Sequence, residues 1–177
     1  WVDPKTGEVS SGYRESGYLP EAVVNFVALL GWNPGNDHEE VMSMKELIRY
    51  FRIEKCSKAG AKFDYEKGKW FNHHYIQTSS NERLAALLRP SLEAAGITFD
   101  ADYVARAIAL TKERAQTLPE LEEQIAYFFT APTAYDEKTV KKRWKEDSAA
   151  QLTELAALLA TQPEDLPSEA TEEVVKA

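Results

Sequence analysis

Glycine and proline stand at the edges of segments in which apolar residues recur every three to four positions. In the segment LPEAVVNFVALLG, at 19–31, Pro20 suits the first turn of a helix and Gly31 the position just past its end. Few polar residues separate the valines and leucines of this segment, so we expect its helix to be largely buried. Because a spacing of three to four is the period of the α-helix, the pattern predicts an all-α fold.

Helix starts are marked by short polar side chains that can accept a backbone hydrogen bond. Two pairs have the spacing of a capping box, Ser43 with Glu46 and Ser79 with Glu82, and predict helices that begin near each serine. Single caps are predicted at Asp64, Asp100, Thr117, Asp136 and Ser168.

The helical pattern is interrupted at two places, and it begins and ends abruptly. Pro90 should kink or split the helix in which it lies. The segment after Asp136 is expected to restart near Ser148. Trp1 is no initiator methionine, and the last predicted helix meets no stop signal before Ala177. Both ends therefore look cut, and we expect a fragment of a longer protein.

The composition favours a folded, soluble chain. It has 177 residues, enough for one large or two small domains, and 44% of them are apolar, which argues against global disorder. A single cysteine, Cys56, excludes an intramolecular disulfide and fits a reducing compartment. No apolar run approaches the roughly 20 residues that span a bilayer, and no signal peptide is evident. We expect a cytoplasmic protein without membrane contact.

Charge is distributed unevenly along the chain, whose formal net charge is −8. The segment 41–80 holds eight basic and four acidic side chains, and 138–145 holds five basic and no acidic ones. A local basic face can bind phosphate whatever the overall sign of the charge. Lysine-rich stretches are also typical of solvated helix faces, and charge alone leaves both interpretations open.

The stretch FDYEKGKWFNHHYI, at 63–76, is compatible with a metal site, a nucleic-acid contact or core packing. Adjacent residues of a helix point about 100° apart, so His73 and His74 are poorly placed to share one metal, and we expect no metal site. Trp70 and Phe71 are expected in the core. Lys69, Asn72 and His73 would then form an exposed polar side able to dock on a phosphate backbone.

Motifs of catalysis are absent from the sequence. It contains no phosphate-cradling glycine loop and no G-x-S-x-G, and its carboxylates are scattered. We expect no catalytic residues in this chain. Two classes of function remain open, namely nucleic-acid binding and a helical protein-interaction module without an RNA role. An exposed apolar patch would favour the interaction module.

Two blocks carry a resemblance to a known family. YRESGYLPEAVVNFVALLGWNPG, at 13–35, and SKAGAKFDYEKGKWFNHHYI, at 57–76, resemble segments of bacterial-type glutamyl-tRNA synthetases in the same order and spacing. YVARAIALTKERAQTLPEL, at 103–121, is similar to the anticodon-binding helices of that family. After about residue 132 the likeness is mainly one of helical pattern.

The resemblance implies a C-terminal fragment of a class I aminoacyl-tRNA synthetase, an enzyme that joins glutamate to tRNA(Glu) using ATP and magnesium. The HIGH-like and KMSKS-like motifs of the catalytic domain lie outside these residues, so this chain should be inactive alone and hold no cofactor. Residues 1–77 look like the helical part of the stem-contact domain, and 78–131 like the first anticodon-binding helical subdomain. Residues 132–177 look like the truncated start of the second subdomain. A monomer is expected.

The resemblance also suggests which residues meet tRNA. Arg114 aligns with an arginine that in this family contacts the anticodon and helps to separate glutamate from glutamine tRNAs. Arginine suits base edges, and unstacked loop bases are where RNA sequence is read. The alternative is a solvated arginine at a helix end. Weaker candidates for tRNA binding are Lys112 and Thr117 beside it, and Lys67, Lys69, Asn72 and His73.

Overall fold

The computed structural model describes residues 2, 4–7, 10–35, 39–58 and 60–162. Those residues contain eight α-helices and no β-strand, which confirms the all-α prediction. The chain divides into two compact units, Trp1–Ala131 and Pro132–Ala177. The helices are α1 (Pro20–Leu29), α2 (Met44–Tyr50), α3 (Tyr65–Thr78), α4 (Asn81–Ala94), α5 (Ala101–Thr111), α6 (Leu118–Ile125), α7 (Glu137–Arg143) and α8 (Ser148–Ala160). The first six belong to the first unit and the last two to the second.

Most of the predicted caps start the helices as expected. Both halves of the capping box between Ser43 and Glu46 are formed at the start of α2. The second predicted box is wrong by one residue, because Ser80 caps α4 while the Ser79 hydroxyl donates to the Tyr75 carbonyl at the end of α3. The predicted start at Ser168 lies outside the described residues. The confirmed single caps are Asp64, Asp100, Thr117 and Asp136.

Pro90 does not split its helix, since α4 runs through it without a break. Leu88 and Leu92 lie on either side of the proline and are both buried in the core. Their packing therefore outweighs the backbone hydrogen bond that Pro90 removes. The restart predicted near Ser148 is confirmed, because α7 ends at Arg143 and α8 begins at Ser148.

The core of the first unit is built from α1, α3, α4, α5 and α6. α1 contributes Ala22 and Phe26 to it, and also buries the polar Asn25. Val24 and Val27 are 39% and 51% exposed, so the expectation that α1 would be largely buried is wrong. The helix packs mainly against α3, and one partner covers only one side of a helix.

Neighbouring aromatic residues of α3 have opposite environments. Phe71 is fully buried, as expected, and packs near Phe26 of α1 with ring centroids 6.2 Å apart. Trp70 is 48% exposed, so its assignment to the core is wrong. The buried stripe of α3 runs through Gly68, Phe71, Asn72 and Ile76, and Trp70 lies about 100° away from Phe71 around the helix.

The capping box of α2 predicts a pH-dependent contribution to stability. Hydrogen bonds from the Ser43 hydroxyl and the Ser43 backbone N–H lower the pKa of Glu46 from 4.5. A lowered pKa in the folded state means stabilisation that is complete above pH 4.5 and is lost as the pH falls through the folded-state value. Glu46→Ala should therefore reduce the free energy of unfolding above pH 4.5 and have a shrinking effect below it. Urea unfolding of both proteins across this pH range measures the difference, and a constant difference would contradict the prediction.

Candidate nucleic-acid interface

Arg114 lies on the short connection between α5 and α6. α5 ends at Thr111, a single 3-10 turn covers Lys112–Arg114, and Thr117 caps α6. The Arg114 side chain is exposed, and among the described residues its guanidinium has no hydrogen-bond or ion-pair partner. A planar group with several N–H donors is therefore available to a ligand here. We call residues 112–117 the Arg114 turn.

The C-terminal half of α3 holds the backbone of the Arg114 turn. Three side chains of α3 donate to its carbonyl oxygens, and one side chain of the turn donates back to the residue after α3. These bonds are Asn72 Nδ2 to Gln116 O (2.6 Å), His73 Nδ1 to Ala115 O (2.8 Å), Gln77 Nε2 to Glu113 O (3.3 Å) and Lys112 Nζ to Ser79 O (3.0 Å). Because the bonds end on backbone atoms, they fix the path of the turn and leave the Arg114 side chain unengaged.

Asn72 is not on an exposed polar side, and that part of the prediction is wrong. Its side chain is fully buried and also accepts a hydrogen bond from Leu19 N at 2.7 Å and donates one to Gly17 O at 3.2 Å. Its donors and its acceptor are thus used inside the protein. The signal was present in the sequence, since Asn72 lies beside Phe71 and four residues before Ile76, on one apolar stripe.

The other predicted residues near the Arg114 turn are partly engaged. His73 and Lys112 are half-buried and use polar atoms on backbone carbonyls. The Thr117 hydroxyl accepts from Glu120 N as the cap of α6, at 3.4 Å. Arg114 differs from all three because nothing in the described part of the chain engages its charge.

The two predicted lysines of α3 form surface ion pairs. Lys67 Nζ lies 2.6 Å from Glu40 Oε1, and Lys69 Nζ lies 3.6 Å from Glu66 Oε1, with both lysine side chains 40% exposed. Exposed ion pairs contribute little to stability and are screened by salt. A phosphate group can therefore replace either carboxylate at small cost.

The two adjacent histidines, His73 and His74, have different partners within the protein. His73 bonds to the Ala115 carbonyl, whereas the His74 ring lies 6.2 Å from the Trp70 ring, tilted by 30°. The described residues hold no cluster of three or more His, Cys, Asp or Glu side chains that fits a metal ion. The third histidine of the sequence, His38, lies outside the described residues. None of the described helices is long and apolar enough to cross a bilayer.

The second unit presents the other basic block. α7 carries Lys141, Lys142 and Arg143 in its last turn, where cations complement the helix dipole, and all three are exposed. Trp144 follows, 53% exposed. This short helix therefore offers cations beside an aromatic ring, a combination that suits contact with nucleic acid.

Comparison with protein families gives two matches along the chain. Residues 83–177 match the family described as anticodon binding domain, and residues 5–70 match tRNA synthetases class I (E and Q), catalytic domain. The Arg114 turn lies inside the first match. The segment that was expected to belong to the stem-contact domain falls largely inside the second.

Curated relatives align with nearly the whole chain. It is 64% identical over 176 residues to the glutamate–tRNA ligase of Porphyromonas gingivalis, a match that covers 99% of this chain and 34% of that protein. It is 59% identical over 175 residues to the glutamate–tRNA ligase of Bacteroides fragilis, with the same coverage. The chain thus spans about one third of the length of these relatives.

A solved structure has the same fold. A glutamate tRNA ligase from Elizabethkingia meningosepticum, crystallised in complex with its amino acid, superposes with a TM-score of 0.86 at 39% identity. The superposition covers 99% of this chain and 34% of that one. These matches confirm the resemblance to glutamyl-tRNA synthetases, and the chain belongs to the anticodon binding domain family.

Proposed function

We propose that this chain recognises the stem and the anticodon of tRNA(Glu), as part of a longer protein that joins glutamate to that tRNA. One observation carries the proposal: Arg114 is an exposed, unengaged cation on a braced turn inside the anticodon-domain match. The names of the relatives supply the amino acid and the reaction.

Within this proposal Arg114 contacts an anticodon base. Lys112 and Thr117 flank that contact, and His73 acts mainly through the backbone of the turn. Lys67 and Lys69 meet phosphate groups of the stem by exchanging their carboxylate partners. The boundaries 1–77, 78–131 and 132–177, for the stem-contact part and two anticodon-binding subdomains, belong to the same proposal.

The longer protein would use ATP, with magnesium, through residues that this chain does not supply. We further propose a cytoplasmic monomer. These points rest on the relatives and on the family resemblance, because the chain spans about a third of the length of the proteins it matches.

A protein-interaction module remains the alternative, and one observation favours it. Apolar side chains on α2 and just after it are exposed, namely Met44, Ile48, Phe51 and Ile53. A patch of this kind is typical of a protein contact. The family match over 83–177 nevertheless favours RNA as the main partner, and the two roles use different surfaces.

Arg114→Ala should lower kcat/KM for charging tRNA(Glu) by about 5- to 150-fold in the full-length ligase, the equivalent of about 1–3 kcal/mol for one good base contact. Steady-state charging of tRNA(Glu) and tRNA(Gln) measures this effect. The ratio of kcat/KM for tRNA(Glu) to kcat/KM for tRNA(Gln) should fall, because a base contact distinguishes sequences whereas a phosphate contact does not.

Arg106→Ala is the matched control. Arg106 is also an exposed arginine of this region, on α5, and it stacks on Tyr103 at 5.8 Å. Its loss removes the same charge without touching the Arg114 turn, so the ratio between tRNAs should not change. Unchanged kinetics of Arg114→Ala with both tRNAs would refute the assignment of Arg114.

A further inference from the structure

A buried junction centred on Asn72 links three separate segments of the first unit. From α3, Asn72 Oδ1 accepts from Leu19 N at 2.7 Å, and Nδ2 donates to Gly17 O at 3.2 Å. The same Nδ2 donates to Gln116 O, in the Arg114 turn, at 2.6 Å. One side chain thus holds three backbone groups that lie 53, 55 and 44 positions away from it along the chain.

A direct contact between the two outer segments reinforces the junction. Leu118 N donates to the Gly17 carbonyl at 3.1 Å, so that oxygen receives two hydrogen bonds. The Asn72 side chain has no exposed surface, and removing it would take away the hydrogen-bond partner of Leu19 N and of Gln116 O. The junction therefore joins α3, the segment 17–19 and the Arg114 turn to one another.

The linked segments belong to different family matches. Gly17 and Leu19 lie in the match to the class I catalytic domain, over 5–70. Gln116 and Leu118 lie in the match to the anticodon binding domain, over 83–177. Asn72 falls in the interval between the two matches. Its hydrogen bonds join the part related to catalytic domains to the turn that carries Arg114.

We propose that Asn72 is a positioning residue for tRNA specificity, which fixes the Arg114 turn relative to the segment 17–19. Asn72 touches no RNA itself and acts through the backbone at Gln116. A base contact requires its donors to be placed within a fraction of an ångström. A turn released from this junction would keep the charge of Arg114 and lose its placement. The inference rests on the proposed role of Arg114.

The test uses the full-length ligase with Asn72→Ala, Arg114→Ala and the double variant. Two quantities are measured: kcat/KM for tRNA(Glu) transcripts with native and altered anticodons, and hydrogen exchange of the backbone amides of 112–118. Asn72→Ala should speed exchange at 112–118 and reduce anticodon discrimination as much as Arg114→Ala does, by about 5- to 150-fold. The double variant should discriminate no worse than Arg114→Ala alone, because both changes remove the same contact.

Asn25→Ala is the matched control for loss of a buried asparagine. Asn25 is equally buried and donates to Glu40 O at 3.0 Å. It accepts from Met42 N at 2.8 Å and from the Tyr75 hydroxyl at 3.0 Å, and it has no bond to the Arg114 turn. It should speed exchange near 40–42 and leave anticodon discrimination unchanged. If Asn72→Ala does not fold, Asn72→Asp is measured instead, because its carboxylate keeps an acceptor for Leu19 N and lacks the amide donor to Gln116 O.

The outcomes separate the inference from the proposed function. Unchanged exchange at 112–118 in Asn72→Ala, or in Asn72→Asp where that variant replaces it, overturns the inference alone. Equal loss of discrimination in Asn25→Ala does the same. Additive losses in the double variant also overturn it, since Asn72 would then act by another route. If Arg114→Ala retains discrimination, the proposed function of Arg114 fails and the inference fails with it.

Discussion

Gly17→Ala should destabilise the first unit by about 3 kcal/mol or more, through two separate costs. Gly17 has φ of +79°, a conformation that side chains with a Cβ atom rarely adopt. A methyl group there would also overlap Pro119 Cδ and lie 2.8 Å from Leu118 N. Those atoms begin α6, so relieving the overlap would push the Arg114 turn away. Urea unfolding measures the loss of stability.

Gly96→Ala separates the two costs. Gly96 has nearly the same φ, +77°, but a methyl group there would meet no atom within 4 Å beyond its own chain neighbours. The Gly96→Ala variant should therefore lose only about 1 kcal/mol of unfolding free energy, the cost of the backbone conformation. Equal losses at both glycines would mean that segment 17–19 does not pack against α6 as described.

Local signals were sufficient to predict most of the helices. An N-cap such as Asp64 or Asp100 satisfies backbone donors two or three residues away, so the relevant partners are visible in sequence. The error at Ser79 is also local. The Ser79 hydroxyl donates to the Tyr75 carbonyl at the end of α3, so Ser80 caps α4 instead.

Long-range packing decided the points that sequence missed. A short amphipathic pattern does not say which partner covers which side of a helix, so Trp70 and Phe71 looked equivalent. α3 meets α1 through Gly68 and Phe71, and this contact leaves Trp70 outside. The exposure of Val27 on α1 has the same origin.

The candidate site also has one part that the sequence indicates and one part that it does not. Arg114 was singled out by resemblance, and its place at a helix end was readable from sequence. The junction was not readable, because Asn72 bonds to residues 44 to 55 positions away. The place of Asn72 on the apolar stripe with Phe71 and Ile76 indicates that it is buried, but it does not identify these distant partners. Only the three-dimensional arrangement makes it a buried link.

Phe71→Ala tests this account of α3 and should cost about 3–5 kcal/mol of unfolding free energy. The ring has no exposed surface and lies in the main core of the first unit, beside Phe26. Its removal would lose a large apolar contact area and leave a cavity that the surrounding helices can fill only in part. Urea unfolding followed by circular dichroism gives the value.

Trp70→Ala is the neighbouring comparison and should cost only about 1 kcal/mol, since much of the indole already meets water. Tryptophan is the larger residue, so residue size alone would predict the reverse order. The structure predicts that burial decides, because Phe71 lies on the stripe facing α1 and Trp70 is 48% exposed. A larger loss for Trp70→Ala than for Phe71→Ala would mean that α3 is rotated, and Asn72 would then leave the junction with Gly17 and Gln116.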